Sequence, residues 1–368
     1  MKECEHLRVY ELRLTTRSPL FVGNGKKCGK TEYLFNPRTN FVQMIDTNRF
    51  FTFLAQRGLA DDYERFVFSG DTQLYTFLKS CGVTEREISG LCLYSVDAAD
   101  ALDGEHSLKE IHSFVRDGAN RAYIPGSSIK GALRTVILHR LMEESKKGRW
   151  PEEEGNKSKK ARRMQELEGE YLNTLELKKD RNGHRVNDAV NSIMRGIMIS
   201  DSLPISDRCI MLGGKTDILA NGEMQRINLC RECIKPGTVV SFRLTLDTSV
   251  LNGTIDASWL EEAIRIFDSD YQSTFLSRFP TPRNAVNVSY DHCLILGGGS
   301  GFFPKALPYS YLGFIEGRRY TAGEMSSQFR KHGHDRDETE YGISPHTMKY
   351  CKYMGKLYPY GVCEVKLL

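Results

Sequence analysis

The chain has 368 residues, of which 40% are hydrophobic and 27% charged, so it is long enough for two folded domains and is not disordered as a whole. Lys and Arg exceed Asp and Glu by only 51 to 47, so net charge does not indicate nucleic-acid binding and any basic surface must be local. No apolar run approaches membrane-spanning length, and ten cysteines occur without a secretion signal; we predict a cytosolic protein with reduced thiols and no membrane partner.

The chain opens with a predicted strand over residues 7–15, followed by a glycine- and lysine-rich segment, 23–31, that is predicted to be a loop. This segment does not match the P-loop of nucleotide-binding proteins, because one residue too many precedes Gly29-Lys30-Thr31 and Pro37 prevents the long helix that should follow. Its lysines, Lys26, Lys27 and Lys30, fit either of two interpretations: a surface that contacts the backbone of a nucleic acid, or a solvated hairpin loop.

Residues 46–80 show helical patterns rich in Phe, and residues 84–89 are predicted to begin a further helix. The spacing of the Phe residues is that of a packed helix face, so we interpret them as core residues and not as aromatic side chains that stack on the bases of RNA. A short helix is predicted over 108–115, and the flanking His106 and His112 are interpreted as structural or exposed.

The most informative stretch is 123–134, YIPGSSIKGALR, which predicts a short strand, a Pro-Gly turn and an amphipathic helix. Ser127 or Ser128 is predicted to cap the helix, so that the first N–H groups point outward beside two hydroxyls. Lys130 and Arg134 follow four residues apart on one side. This arrangement suits a phosphate, although a capped helix with solvated charges explains the same residues.

About half of residues 150–185 are charged, with both signs interleaved, which predicts an exposed helical insertion, spanning about 145–192, or a partly disordered excursion. A second run of strands begins near Cys230. Its predicted elements are a turn at 234–237, a strand over 239–246, a helix over 259–267, a strand at 294–296 and a Gly-rich loop at 297–301 with Lys305 beyond it. We therefore predict two parts, 1–233 with the insertion and 234–368 with the Gly-rich loop.

The sequence predicts no metal site and no cofactor. Cys230 and Cys233 have ligand-like spacing, but no second pair of ligands with matching spacing accompanies them. The segment 330–340 contains His332, His334, Asp335 and Asp337, but its neighbours are mostly charged, so we interpret it as an exposed loop.

Four stretches together resemble the RAMP superfamily, the RNA-binding subunits of CRISPR effector complexes. They are residues 18–23, residues 124–131 with Arg134, residues 199–202 and residues 297–302. Within the superfamily, the chain length and the pattern at 344–349 resemble the fifth subunit of the type III-A Csm complex. The resemblance implies an α+β fold with a ferredoxin-like, RNA-recognition-motif-like core, the charged helical insertion and a second, smaller ferredoxin-like half; Asp201 is then structural.

The resemblance also implies a non-catalytic subunit that binds the guide-RNA backbone toward its 3′ end and caps the guide filament. Its partners would be single-stranded guide RNA, other RAMP subunits and possible host nucleases recruited for guide maturation in antiviral defence. The expected RNA-binding residues are Lys26, Lys27, Lys30, Ser127, Ser128, Lys130, Arg134, Gly298, Gly299 and Lys305.

The alternative is a RAMP endoribonuclease that cuts target RNA or precursor guide RNA. Related backbone subunits cut target RNA with an aspartate in the loop after the first strand, where this chain has Thr31-Glu32. A glutamate can hold a cation, so this alternative stays open. Metal-independent guide processing, which often uses a histidine there, is favoured less because that loop contains none.

Overall fold

The computed structural model describes residues 6–70, 73–102, 110–150 and 157–368, without the side chains of 157–159; His106 lies outside this part. The strands are β1 (Leu7–Thr16), β2 (Gly23–Cys28), β3 (Tyr33–Asn36), β4 (Phe41–Ile45), β5 (Cys92–Asp97), β6 (Glu110–Phe114), β7 (Ile197–Ile199), β8 (Ile210–Leu219), β9 (Met224–Ile234), β10 (Val239–Asp247), β11 (Cys293–Ile295), β12 (Thr347–Tyr353), β13 (Lys356–Pro359) and β14 (Val362–Leu367). The helices are α1 (Thr47–Arg57), α2 (Ala60–Phe68), α3 (Leu74–Ser80), α4 (Glu85–Gly90), α5 (Gly126–Glu144), α6 (Lys157–Leu172), α7 (Thr248–Leu251), α8 (Ala257–Thr274) and α9 (Pro308–Gln328). Within the described residues, none of these helices combines the length and hydropathy needed to cross a membrane.

The first sheet has five strands in the order β11-β14-β1-β10-β7. Its central strand, β1, pairs antiparallel with β10 on one side and β14 on the other. Along the chain, β1, α5, β7, β10, α8 and β14 give the order strand, helix, strand, strand, helix, strand of a ferredoxin-like unit. The predicted α+β class and ferredoxin-like core are thus confirmed.

One face of this sheet is covered by α5 and α8, which also contact each other. In β1, Leu12 and Leu14 point to the helices and are fully buried, while the alternating Glu11 and Arg13 are exposed. The predicted apolar face of α5, including Ile129 and the residues one and two turns on, is buried against them. Each such side chain contributes about 1.5–3 kcal/mol when removed from water, so the pattern defines which face of each element packs inward.

The second sheet runs β2-β6-β9-β8-β5-β4-β3, and the β12–β13 hairpin pairs with β8. Strands from both sides of residue 233 occur in each sheet, and the division into 1–233 and 234–368 stays a prediction. The βαβ elements predicted after residue 234 are present as β10, α8 and β11, and the two strands belong to the same sheet as β1.

Three local predictions are wrong. Residues 23–28 form edge strand β2 instead of a loop, because β6 offers a pairing edge and Gly25, at φ 83°, accommodates the irregular register. The helix predicted over 108–115 is strand β6 at 110–114, which pairs with strands on both sides. The short strand predicted before the Pro-Gly turn is absent at residues 123 and 124, and Pro125 directly precedes α5.

Helices α1 to α4 form a separate small core and confirm the helices predicted over 46–80 and 84–89. Phe50, Leu54, Phe66 and Leu74 are among its buried side chains, so the packing prediction is confirmed for Phe50 and Phe66. It is wrong for Phe51 and Phe68, which are 52% and 81% exposed. The start of α4 has a capping box between Thr84 and its third helical residue.

The charged insertion contains the predicted helix, α6, but its inner face is not exposed. Leu167, Tyr171 and Leu172 are buried in the main core, and α6 contacts α5. Trp150 is also buried, with its ring 5.3 Å from that of Tyr311. Three apolar residues in a mostly charged helix are enough to pack α6 against the main core. The high overall charge of the segment gave no sign of this buried face.

The exposed loop predicted at 330–340 is also wrong. Its residues form short helical turns after α9, and His334 and Asp337 are buried. The ring of His334 lies 6.3 Å from that of Phe329, at the end of α9. Charged neighbours in the sequence cover the surface of these turns while the two residues point inward.

Asp268 on α8 provides a pH-dependent prediction. Its Oδ2 accepts a 2.6 Å hydrogen bond from the Cys293 N–H, and burial raises the pKa of this carboxyl to about 8. Between about pH 4 and pH 8 the folded chain therefore retains a proton that the unfolded chain has released, so this group's contribution to stability falls as pH rises. Asp268→Asn should remove that dependence. As pH rises, the unfolding free energy of the variant minus that of wild type should therefore increase by up to about 1.4 kcal/mol per pH unit. Urea unfolding at about pH 5 and about pH 8 measures it, and parallel profiles for the two proteins would contradict it.

Candidate nucleic-acid interface

Helix α5 begins at Gly126, and its N-terminus is not capped by a serine. The N-cap is Pro125, which makes no side-chain cap bond, so the prediction for Ser127 and Ser128 is wrong: they lie inside the first turn. Instead, Asp201 Oδ1 accepts the Gly126 N–H at 2.8 Å. A carboxylate therefore already occupies the positive end of the helix, which disfavours a phosphate at that N–H.

The charged residues of the first turns of α5 line a cleft of about 840 Å³ between α5 and α6. Arg134 is ion-paired with Glu168 of α6, and Lys130 is half-buried, which lowers its pKa. Ser127 lines the same cleft, whereas Ser128 is half-buried and donates its N–H to the Pro125 carbonyl at 2.9 Å. The structure thus brings Ser127, Lys130 and Arg134 together, but in a cleft whose acidic residues compete with RNA for the cations.

The Gly-rich loop folds against the end of the first strand region. Gly298 N–H donates to the Phe21 carbonyl at 2.8 Å. A side chain at Gly297 would place Cβ only 2.1 Å from that oxygen, and its φ of 74° also favours glycine. Lys305 Nζ donates to the Gly297 carbonyl at 2.9 Å. The predicted Gly298, Gly299 and Lys305 therefore form one unit beside Phe21.

A basic row crosses the second sheet toward this loop. Lys27, His112 and Arg231 are register neighbours on β2, β6 and β9, so their side chains lie on one face. Glu110 accepts from His112 at 3.0 Å and pairs with Lys27 at 3.2 Å. The row connects the predicted lysine segment to residues that sequence reasoning did not identify.

Arg231 lies beneath the Gly-rich loop between two aromatic rings. Its guanidinium carbon is 5.5 Å from the centre of the Phe21 ring and 5.4 Å from that of Tyr360. Its buried Nε and Nη1 have no hydrogen-bond partner among the described residues. Buried cationic N–H groups normally find acceptors. A Cβ at Gly299 would lie 3.4 Å from Nη1, so the glycine brings the loop backbone close to these donors. An anion approaching past the bare Cα of Gly299 would satisfy the two N–H groups.

A second cation, Lys349 on β12, lies on the other side of the loop. A Cβ at Gly301 would lie 3.4 Å from Lys349 Cγ, and Lys349 Nζ is 2.7 Å from Asp217 Oδ2. Asp217 also pairs with Lys215 at 3.4 Å, so one carboxylate forms ion pairs with two lysines. These residues were missed because the pairing of β12 with β8 joins segments more than 120 residues apart.

The model of the family described as the RAMP superfamily matches residues 13–309 of this chain. The chain belongs to the RAMP superfamily. Two curated RAMP relatives are both named CRISPR system Cms protein Csm5. The protein from Streptococcus thermophilus is 28% identical, with 89% of this chain and 87% of the relative covered. That from Mycobacterium tuberculosis is 26% identical, with 98% of each covered.

Solved structures agree with the RAMP fold. A chain of the cryo-EM Csm–crRNA–target RNA ternary complex of a type III-A CRISPR–Cas system has a TM-score of 0.63 at 18% identity, covering 97% of this chain and 100% of the other. The crystal structure of T. onnurineus Csm5 has a TM-score of 0.61 at 17% identity, covering 96% and 99%. The predicted RAMP resemblance and its ferredoxin-like core are confirmed.

A smaller cleft of about 260 Å³ adjoins the lysine strand of this RAMP protein and is lined in part by Lys26 and Lys27. Arg116 and Tyr94 also line it, with the guanidinium carbon 3.5 Å from the centre of the Tyr94 ring. Lys30 is exposed just beyond β2. Lysines at the rim and a stacked pair inside are features that suit a nucleic-acid backbone.

Glu32, the residue that the endoribonuclease alternative would use, closes a local turn. Its carboxylate accepts the Gly29 N–H, and its own N–H donates to the Gly29 carbonyl at 3.0 Å. The cluster of His, Cys, Asp or Glu side chains needed to complete a metal site is not found around it in the described chain. Its geometry is therefore that of a turn-closing residue.

The Cys230 and Cys233 pair does not converge on one site. Three residues apart on strand β9, the side chains point to opposite faces. Cys230 Sγ lies 3.8 Å from the Ala101 carbonyl, whereas Cys233 faces Gly213 beside Cys351. The spacing that resembles a ligand pair is the ordinary alternation of a buried strand.

Proposed function

We propose that this RAMP protein is the Csm5-type, fifth subunit of a type III-A CRISPR effector complex. In this role it binds the guide-RNA backbone toward the 3′ end, caps the guide filament, contacts other Csm subunits and supports guide maturation in antiviral defence in the cytosol. Host nucleases recruited for trimming belong to the same proposal. The relatives' names and the RAMP fold support the assignment to the complex.

The observation that carries RNA binding is the basic row from Lys27 to Arg231 that ends at the Gly-rich loop. Gly298 and Gly299 let the loop backbone lie close to Phe21 and Arg231, since a Cβ would lie 2.9 Å from the Phe21 ring and 3.4 Å from Arg231 Nη1, and Arg231 offers unsatisfied cationic donors. Such contacts position RNA without reading its bases. The remaining predicted contacts stay predictions within this proposal: Lys26, Lys30, Ser127, Ser128, Lys130, Arg134 and Lys305.

Co-expression with the other Csm subunits and a guide-encoding array tests the proposal. We expect the protein to co-purify with the complex and with guide RNA of defined length, and complexes lacking it to carry guides with altered 3′ ends. Recovery of the protein free of RNA and of any RAMP subunit would contradict the assignment. Altered guide ends without co-purification would assign it to processing instead.

The proposed function is structural and not catalytic, which Glu32→Ala tests. Because Glu32 closes a turn, we expect target-RNA cleavage by the assembled complex to be unchanged in rate and in the positions of its products. Gel analysis of labelled target RNA, with and without divalent metal, measures this. Loss of a single product from a regularly spaced ladder would instead make Glu32 a cleavage residue.

A further inference from the structure

A buried cluster of two histidines and one aspartate lies between the turns after α9 and the start of β12. His334, Asp337 and His346 are 8%, 0% and 6% exposed. His334 Nδ1 is 3.0 Å from Asp337 Oδ2, and His346 Nδ1 is 2.5 Å from Asp337 Oδ1. One side-chain atom of each residue lies within 4.8 Å of the other two. The cluster has no part in the RNA interface described above.

These separations are close to those around a tetrahedral ion. Two ligands at about 2.0–2.1 Å from zinc lie about 3.3 Å apart, which is within about 1 Å of both histidine–aspartate separations. Two imidazole nitrogens with one carboxylate are a ligand set of catalytic and structural transition-metal sites, and nitrogen donors disfavour Mg²⁺ and Ca²⁺.

The charge of the cluster also favours a cation. Asp337 is fully buried, and its ion-pair partners in the described chain are His334 and His346. Neutral imidazoles would supply N–H groups but no compensating charge to a buried carboxylate, which is costly to desolvate. A divalent ion supplies the charge and accepts the nitrogen lone pairs at the same time.

Neighbouring rings hold the histidines in place. The His346 ring stacks on Tyr341 at 4.6 Å between centroids, and the His334 ring lies 4.8 Å from that of His346. Oriented ligands of this kind are typical of built metal sites. Because all three ligands are buried, we assign the site a structural role, in which a water molecule would complete the tetrahedral coordination.

We propose that His334, Asp337 and His346 bind one transition-metal ion of the zinc class, which fixes the turns after α9 to the start of β12. Lys349, beside the Gly-rich loop, lies three residues after His346 on the same segment. The ion thereby holds in place a strand that contributes to the RNA interface, while metal binding itself does not depend on the proposed RNA function.

Metal analysis of the purified full-length chain tests the proposal. We expect about one zinc ion per chain by mass spectrometry after purification without added chelator, and its release by a chelator should lower the melting temperature. Replacement by Co²⁺ should give the visible absorption of a tetrahedral site. His346→Gln and His334→Gln should each reduce the metal content to below about a tenth of an ion per chain.

Two variants control the result. His184→Gln removes an exposed histidine that lies 3.5 Å from Asp180, and it should leave the metal content unchanged. His332→Ala, at an exposed neighbour, should also retain the ion. If the cluster is only hydrogen-bonded, wild type will contain no stoichiometric metal, will not bind added Zn²⁺ or Co²⁺ and will melt alike with and without chelator; that result overturns the proposal. Because wild type alone gives this answer, misfolding of a variant does not affect it.

Discussion

Gly126→Ala should destabilise the protein by about 3 kcal/mol. A Cβ at this position would lie 2.3 Å from the Ile199 carbonyl oxygen and 2.5 Å from that of Ser200, and both are backbone atoms. The start of α5 would therefore have to move away from the end of β7, which would break the hydrogen bond between the Gly126 N–H and Asp201. Denaturant unfolding of the purified protein measures the loss.

Gly131→Ala in the same helix is the matched control. Apart from the adjoining backbone of α5 itself, no atom lies within 4 Å of a Cβ built there, and alanine is a better helix former than glycine by about 0.8–1 kcal/mol. The same chemical change, five residues along α5, should therefore stabilise the protein. Equal effects of the two substitutions would show that the close approach of α5 to β7 is not what requires glycine at 126.

Arg116→Met should cost about 3–5 kcal/mol near neutral pH, because it leaves a fully buried carboxylate without its cation. Glu232 is 0% exposed, the Arg116 side chain is 5% exposed, and their Oε2 and Nε atoms are 3.8 Å apart. Glu232 also accepts hydrogen bonds from Tyr94 and from the Phe114 N–H. Burial already raises the pKa of Glu232, so the variant should lose less stability in acid, where this carboxyl takes up a proton.

The double variant Arg116→Met, Glu232→Gln separates the loss of the Glu232 charge pair from the other losses, which are packing and the 2.7 Å contact of Arg116 with Asp207. A glutamine removes the unpaired charge and can still accept one of the two hydrogen bonds, so it should restore part of the stability. Arg121→Met, which breaks an exposed pair with Asp117, should change stability by less than about 1 kcal/mol. If Arg116→Met costs no more than Arg121→Met, the buried pair does not contribute as described.

The strongly periodic elements could be predicted from the sequence alone. The apolar face of α5, the alternation in β10 and the apolar spacing of α8 each follow from a local pattern that the tertiary structure uses unchanged. Strand β2 could not, because a segment of Gly, Asn and Lys becomes a strand only when β6 provides a pairing edge. Its exposed side chains give no periodicity to recognise.

The candidate site divides in the same way. Motif residues such as Gly298 and Lys305 were identified from the sequence, and their positions beside Phe21 agree with a common surface. Arg231 and Lys349 were missed because their proximity depends on strand register between distant segments. The helix cap was predicted on the wrong residue because Asp201, distant in sequence, supplies the oxygen that a local serine was expected to supply.

The salt dependence of RNA binding by Lys26→Ala, Lys27→Ala tests the proposed interface most directly. Both lysines are exposed on an edge strand, so folding should be retained. With single-stranded RNA of unrelated sequences, the slope of log affinity against log salt should fall by about 1.4, about 0.7 for each lost phosphate contact. Lys178→Ala, Lys179→Ala, a matched pair on the insertion, should leave it unchanged. An unchanged slope in a Lys26→Ala, Lys27→Ala variant that melts like wild type would contradict the account, and a reduced slope in Lys130→Ala, Arg134→Ala alone would place the RNA in the α5–α6 cleft instead.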